Sequence, residues 1–409
     1  MGVYLNPGNV DFQEVLNSKI YVDKSELIQY TNSVLRTTQK YICVSRPRRF
    51  GKSMAANMLT AYYSRGCDSR EMFQELKIAK HTDFEKHLNQ YNVIHLNMRD
   101  YLTESENMKQ LIQFVEEDLL DELQQEFADL RMPRRRTLVK VLEQAFAQYK
   151  IPFVFIIDEW DCIFRVHKSD AASQKTYLDF LRNLLKDKSY IALAYMTGIL
   201  PIKKYGEHSA INAFYEYSMT DASPIEEFTG FTEQEVRQLC EQYQMPFSET
   251  KKWYDGYCVD GVSIYNPKSV VEAMLRGKFS NYWTQTETYE ALKIYIQSNE
   301  FGVQDVILKL LAGEKEKIDT TTFSNDMVTF ATKDDVLTLL VHLGYLTYNA
   351  ETKEIWIPND EVMEQFISTV KVMGWGNIVV ALETSERLLQ ATLSSDEAVS
   401  YTHLTLPTN

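Results

Sequence analysis

The sequence predicts an α/β fold on a mostly parallel sheet, and three observations carry that reading. Four compact apolar runs, at 41–45 (YICVS), 92–97 (NVIHLN), 151–158 (IPFVFIID) and 190–198 (YIALAYMTG), end in small or polar residues, as strands buried on both faces do. Helical patterns at 53–65, 105–130, 136–149 and 172–186 separate them, which implies right-handed crossovers and helices on both faces of the sheet. Composition allows it: 44% apolar and 24% charged residues over 409 positions can bury a sizeable core in two or three domains.

The first strand runs into Ser45-Arg46-Pro47-Arg48-Arg49-Phe50-Gly51-Lys52-Ser53, and a helix follows at once. The last three residues match the end of GxxxxGK[ST], a loop that holds phosphates with backbone N–H groups at a helix N-terminus. In this P-loop reading Lys52 reaches the β- and γ-phosphates of ATP, Ser53 ligates Mg²⁺, and Gly51 permits the turn and the close approach. Arg46 stands where the general motif has its first glycine. Arg46, Arg48 and Arg49 either clamp a triphosphate bidentately or face carboxylates elsewhere in the chain. With Phe50 they complete the expected nucleotide-binding set.

The next helical pattern, 104–129, contains nine acids and a single Lys, with Ile112, Val115, Leu119, Leu123 and Phe127 at helical spacing. It reads as an amphipathic helix with a solvated acidic face. Arg131-Met-Pro-Arg-Arg-Arg-Thr137 after it reads as an exposed turn whose arginines either touch phosphate or are simply solvated.

The third run ends in Asp158 and Glu159, two carboxylates at the end of a buried strand, which implies a nearby cation. Asp158 suits Mg²⁺ and Glu159 suits the general base that activates water. Asp161 suits a cap for the following segment. An adjacent Asp-Glu pair belongs to the ASCE-type P-loop NTPases, with an extra strand between the P-loop strand and the acidic strand. The fourth run supplies that strand, so 190–196 is expected between 41–45 and 151–158, with 92–97 outside. Thr197 at its end is a candidate to sense the γ-phosphate or position water. Lys203 and Lys204 are candidate phosphate or partner contacts. The expected catalytic set is Glu159, Lys52 and Thr197; the expected metal set is Ser53 and Asp158.

Past residue 230 the pattern changes. GFTEQEVRQLCEQYQ reads as a helix opened by a Thr232/Glu235 capping box, and a turn, a short strand and another capped helix follow. Helical patterns at 301–315 and 333–343 and a hairpin at 344–359 suggest a small winged-helix-like unit. The expected organisation is a P-loop core over 1–230, a helical lid region over 231–300, the winged-helix-like unit over 301–365 and a connecting helix over 366–400. The tail 401–409 reads as non-native.

Forty-three Lys+Arg against 57 Asp+Glu give a net charge of −14, which excludes a wholly basic nucleic-acid coat while leaving a local basic groove open. No run of 18 apolar residues and no signal-peptide pattern occurs, so a cytoplasmic protein without a membrane partner is expected. The five scattered cysteines show no CxxC spacing, which implies reduced thiols.

YVDKSELI (21–28), SRPRRFGKS (45–53), FIIDEWD (155–161), MTGILPIKKYG (196–206), GFTEQEV (230–236), YDGY (254–257), YNPKSV (265–270) and NYW (281–283) together resemble a bacterial AAA-ATPase-like family, over about residues 10–390. The arginine in place of the first glycine is part of that resemblance. It implies an ATPase core followed by a helical lid and a winged-helix-like unit. The functions expected are a Mg²⁺-dependent ATPase that uses ATP to switch or drive a protein or nucleic-acid partner, a nucleotide-gated binding module with little turnover, or a nucleic-acid-processing component whose nuclease domain is missing. Many members continue into a PD-(D/E)-x-K nuclease-like domain. Residues 370–409 lack that spacing, so nuclease activity is not expected of this chain.

Overall fold

The structure, a computed structural model, describes residues 2–202, 212–283, 300–323 and 330–372. Lys203, Lys204, the end of the expected lid, most of the expected connecting helix and the tail 401–409 lie outside those residues.

Helices α1 (Val10–Leu16) and α2 (Glu26–Val34) precede strand β1 (Tyr41–Ser45), the P-loop and α3 (Lys52–Tyr63). Then come β2 (Asn92–Asn97), α4 (Met98–Glu104), α5 (Met108–Glu126) and α6 (Leu138–Tyr149). Next are β3 (Phe153–Asp158), α7 (Cys162–Val166), α8 (Ala171–Leu185), β4 (Ile191–Gly198) and a short β5 (Tyr215–Tyr217). The five strands form a parallel sheet in the order β2-β3-β4-β1-β5. Strand β4 therefore lies between the P-loop strand and the acidic strand, as the Asp-Glu pair predicts. This is the α/β P-loop fold.

Alternation along each strand sends the two faces into separate cores. Cys43, Ile94, Phe155, Ile157 and Met196 join the cluster packed by α5, α6 and α8. Ile42, Val44, Val93, Ile156 and Tyr195 join the one packed by α2 and α3. Burial on both faces explains why these strands read as continuous apolar runs. Register brings their carboxyl ends level: Asn97 lies opposite Asp158, and Ser45 opposite Gly198.

The chain then forms β6 (Phe231–Thr232), α9 (Glu233–Tyr243), α10 (Phe247–Tyr254), β7 (Tyr257–Val259), β8 (Val262–Tyr265) and α11 (Pro267–Arg276). Thr232 and Glu235 do form a reciprocal capping box at α9. Asn266 caps α11 ahead of Pro267, which suits the first helical turn. The last described stretch holds α12 (Val303–Leu311), β9 (Glu316–Lys317), α13 (Lys333–Leu343), β10 (Thr347–Asn349), β11 (Glu354–Trp356) and α14 (Asp360–Val372). The last three strands make an antiparallel sheet in the order β10-β11-β9.

This last stretch shares its apolar core with the main sheet, since Leu337, Leu340, Ile355 and Phe366 belong to the same cluster as Phe155. It also abuts the P-loop, where Pro47 lies against Gly344. The Tyr257 hydroxyl donates to the Gly344 carbonyl at 2.9 Å, and Arg49 Nη1 donates to the Tyr282 carbonyl at 2.5 Å. The Glu361 carboxylate accepts the Tyr282 N–H at 2.7 Å, and burial pushes its pKa up to about 7.

Candidate functional site: a P-loop facing an acidic strand end

The loop between β1 and α3 is shaped by two left-handed residues, Arg49 (φ 69°) and Gly51 (φ 85°). A Cβ built on Gly51 meets nothing within 4 Å, so the backbone angle, rather than crowding inside the chain, calls for glycine. Phe50 between them is buried, stacks edge-on against Tyr257 at 5.1 Å and accepts the Gly230 N–H at 2.9 Å through its carbonyl. It anchors the loop and makes the turn rigid. Lys52, the first residue of α3, is 5% exposed and its Nζ donates to the carbonyls of Arg46 and Pro47 at 3.0 and 2.9 Å. Burial lowers its pKa against the opposing pull of Glu159, Asp158 and Asp161.

Arg46 departs from the phosphate-clamp expectation. Its side chain is fully buried, and Nη1 donates to the Ser45 and Tyr217 carbonyls, each at 2.9 Å. Burial pulls its guanidinium pKa down to about 10, and burial likewise lowers that of His342 to about 3, with the charge of Arg46 adding to it. The guanidinium sits behind the loop, where it ties β1 to β5, and lines neither cavity described below. Arg48 and Arg49, by contrast, both line the cavity at the P-loop.

That cavity, of about 500 Å³, brings Gly51, Lys52, Ser53 and Glu159 together with apolar side chains from two distant stretches of chain. Phe12, Ile20 and Val22 come from the N-terminal segment, and Phe228, Phe231 and Val271 from the segment after β5. A second cavity of about 360 Å³, lined by Ser53, Asp158, His95, Asn97, Asp11 and Asp100, shares Ser53 with the first. The two carboxylates of the acidic strand end thus open to different cavities, Glu159 to the first and Asp158 to the second.

Asp158 is 5% exposed and accepts the Glu159 N–H at 2.9 Å and a short hydrogen bond from the Thr197 hydroxyl. Thr197 is itself fully buried and lines neither cavity, and its hydroxyl is directed to Asp158. Thr197→Val keeps the shape and removes a bond to a charged acceptor. It is expected to destabilise the fold by about 1.5–3 kcal/mol, read by urea unfolding. A loss within error would mean that Asp158 is held by other contacts.

Glu159 sits in the left-handed region at φ 54° and pairs with Arg165 through a short contact. Arg165 Nε also meets Asp161 at 3.1 Å. Asp161 provides no side-chain cap for α7, contrary to expectation. Its Oδ2 instead accepts the N–H groups of Ile199 and Leu200 at 3.1 and 2.9 Å, fixing the loop that leaves β4. Arg165 is the site residue the sequence reading missed. Its signal was the i, i+4 spacing from Asp161 at the start of a helix.

Among the described residues no group of three or more His, Cys, Asp or Glu side chains is placed to hold a metal ion. Mg²⁺ suits such a site all the same. It keeps much of its water and needs few protein ligands beside substrate phosphates, and Ser53 and Asp158 line one polar cavity. Among the described residues no helix is long and apolar enough to cross a membrane.

Residues 8–206 match the model of a family described as Predicted AAA-ATPase, AAA-ATPase-like. A protein from Azotobacter chroococcum mcd 1, described as "Uncharacterized protein in vnfD 5'region", is 24% identical over 256 residues, covering 60% of this chain and 47% of its own length. The chain thus spans about half the length of that curated relative. Among solved structures the chain is similar to the Aeropyrum pernix ORC2 protein in ADPNP-ADP complexes, at TM-score 0.35 and 13% identity, over 89% of this chain and 97% of that one. It is also similar to AMPPCP-bound DnaA from Aquifex aeolicus, at TM-score 0.28 and 8% identity, over 79% and 88%. The fold rests on the strand order.

Proposed function

Residues 8–206 belong to the AAA-ATPase-like family, and on that premise we propose that the chain binds ATP with Mg²⁺ and hydrolyses it to switch or drive a partner. The observation that supports this best is the cavity where Lys52 and Ser53 of the P-loop meet Glu159. In this reading the α3 N-terminus and Lys52 hold the β- and γ-phosphates, with Arg48 and Arg49 beside them. Ser53 and Asp158 hold Mg²⁺, which supplies charge neutralisation between the phosphates when bound. Glu159 takes the proton of the attacking water. The apolar side chains of Phe12, Ile20, Val22, Phe231 and Val271 suit a purine base. We read 231–300 as a lid over that base and 301–365 as a winged-helix-like unit that passes the nucleotide state onward.

Lys52→Ala tests the binding step. It removes a charge-assisted contact of about 1.5–3 kcal/mol, so ATP affinity should fall about ten- to hundredfold, measured by calorimetry on the folded variant. Unchanged affinity would remove the P-loop from nucleotide binding.

A second reading, a nucleotide-gated binding module with little turnover, is favoured by one contact. Glu159 is paired with Arg165, so its carboxylate has to leave that pair before it can face an attacking water. Single-turnover assays separate the readings: tight binding with hydrolysis only when a partner is added would favour the module.

A further inference from the structure

The two cavities beside the P-loop sort charge. Among the described residues the first is lined by six Lys or Arg side chains and one carboxylate, Glu159. The second is lined by Asp11, Asp100 and Asp158 and by no Lys or Arg. Two neighbouring strand ends repeat this division. At the end of β3, Asp158 opens to the second cavity and Glu159 to the first. Beyond the end of β2, Asp100 opens to the second and Arg99 to the first. Register sets these ends side by side, since Asn97 lies opposite Asp158. The Asn97 side chain then accepts the Arg99 N–H at 3.0 Å, which fixes the backbone of Arg99 as α4 begins.

Topology says which part of a nucleotide Arg99 would meet. Of the six cations, Arg48, Arg49 and Lys52 belong to the P-loop, while Lys24 and Lys268 come from the stretches that supply the apolar wall. Arg99 alone comes from the β2 side. The P-loop leaves β1, and the sheet runs on from there through β4 and β3 to β2. At about 4.8 Å per strand, the ends of β3 and β2 lie about 10 and about 14 Å from the P-loop strand. The apolar residues Phe228, Phe231 and Val271 follow β5, which flanks β1 on its other side. A nucleotide with its base on that wall and its phosphates on the P-loop points its last phosphate towards Glu159 and Arg99. The Glu159 carboxylate would repel that phosphate, and a guanidinium beside it offsets the repulsion.

We infer that Arg99 contacts the terminal phosphate of a bound nucleoside triphosphate from the Glu159 side and so selects ATP over ADP. The inference rests on the P-loop reading above. Arg99 is exposed, so it can turn onto a ligand without disturbing the core, and its planar fork suits a phosphate that presents several oxygens. ADP leaves that fork without its acceptor.

The test is calorimetry of the full chain with Mg²⁺, titrated with ADP and with a non-hydrolysable ATP analogue. Wild type should prefer the triphosphate. Arg99→Gln should lose about ten- to hundredfold in affinity for the analogue, the loss of one charge-assisted contact, and keep its ADP affinity. Arg99→Lys should recover part of the preference, because the charge stays and the fork is lost. Lys52→Ala should weaken both nucleotides, since Lys52 reaches the β-phosphate as well as the γ-phosphate. Equal effects of Arg99→Gln on the two nucleotides, or none on either, would overturn the inference, and a working Lys52→Ala result would leave the P-loop reading standing. A turnover loss in Arg99→Gln at unchanged triphosphate preference would also overturn it, by showing that the side chain acts on Glu159. Wild type binding neither nucleotide would refute the P-loop reading itself, and this inference with it.

Discussion

Glu159→Gln should leave ATP affinity unchanged while turnover falls by about 10²–10⁴-fold, the usual contribution of a positioned general base. The amide keeps the shape of the side chain that lines the P-loop cavity, yet it cannot accept the proton of water. Arg165 keeps its second partner, Asp161, so the substitution leaves no isolated buried cation and the fold should survive. Binding by calorimetry and turnover by phosphate release on one preparation separate the two effects. Asp158→Asn should act differently, weakening the Mg²⁺ dependence of binding, because Asp158 shares the neighbouring polar cavity with Ser53. Wild-type hydrolysis in both variants would make the acidic pair structural and remove Glu159 as the general base.

Gly256→Ala should destabilise the protein by about 3 kcal/mol or more. Gly256 has φ 103°, and a Cβ there would lie 1.9 Å from the Pro358 carbonyl oxygen and 2.6 Å from its carbon. Both obstacles are backbone atoms, so no side chain can swing aside. The strand preceding β8 and the chain entering α14 would have to separate, and the Asn359 Nδ2 bond to the Asp255 carbonyl at 2.7 Å would go with them. Gly261→Ala is the control: its φ is 79° but its Cβ meets nothing within 4 Å. It should cost only about 1 kcal/mol, from the backbone angle alone. Urea unfolding of both variants gives the difference, and equal losses would show that the Pro358 contact yields easily.

The parts of this protein legible in its sequence are those where one local rule decides. Strands buried on both faces show as apolar runs, and the GKS ending between a strand and a helix shows as a phosphate loop. The adjacent carboxylates 158 and 159 sufficed to place β4 beside β1, because that pair goes with one strand order. Thr232 and Glu235 announced the start of α9 for the same reason. What stayed hidden depends on contacts distant in sequence. Arg46 reads as one of three equivalent loop arginines, and only the carbonyl of Tyr217, 171 positions away, shows that it points inward. Strand β5 is three residues long, with Tyr215 exposed, too short to show a pattern. Thr197 at a strand end looks free to face a ligand until the register sets its hydroxyl on Asp158.

Lys52 has a consequence for how any ligand of this loop behaves. Its ammonium already answers two carbonyls of its own loop, those of Arg46 and Pro47. On the proposed reading, a phosphate taken by Lys52 would displace an internal acceptor rather than meet an idle cation. Observed affinity is then the difference between two sets of partners for one amine, and it responds to whatever strengthens the internal set. If a bound phosphate draws Lys52 away, Arg46 and Pro47 lose that tie beside Gly344, and the expected result is a change in the segment that follows Gly344. Amide exchange at Gly344 and Tyr345, followed with and without nucleotide, would read that displacement from the far side of the contact.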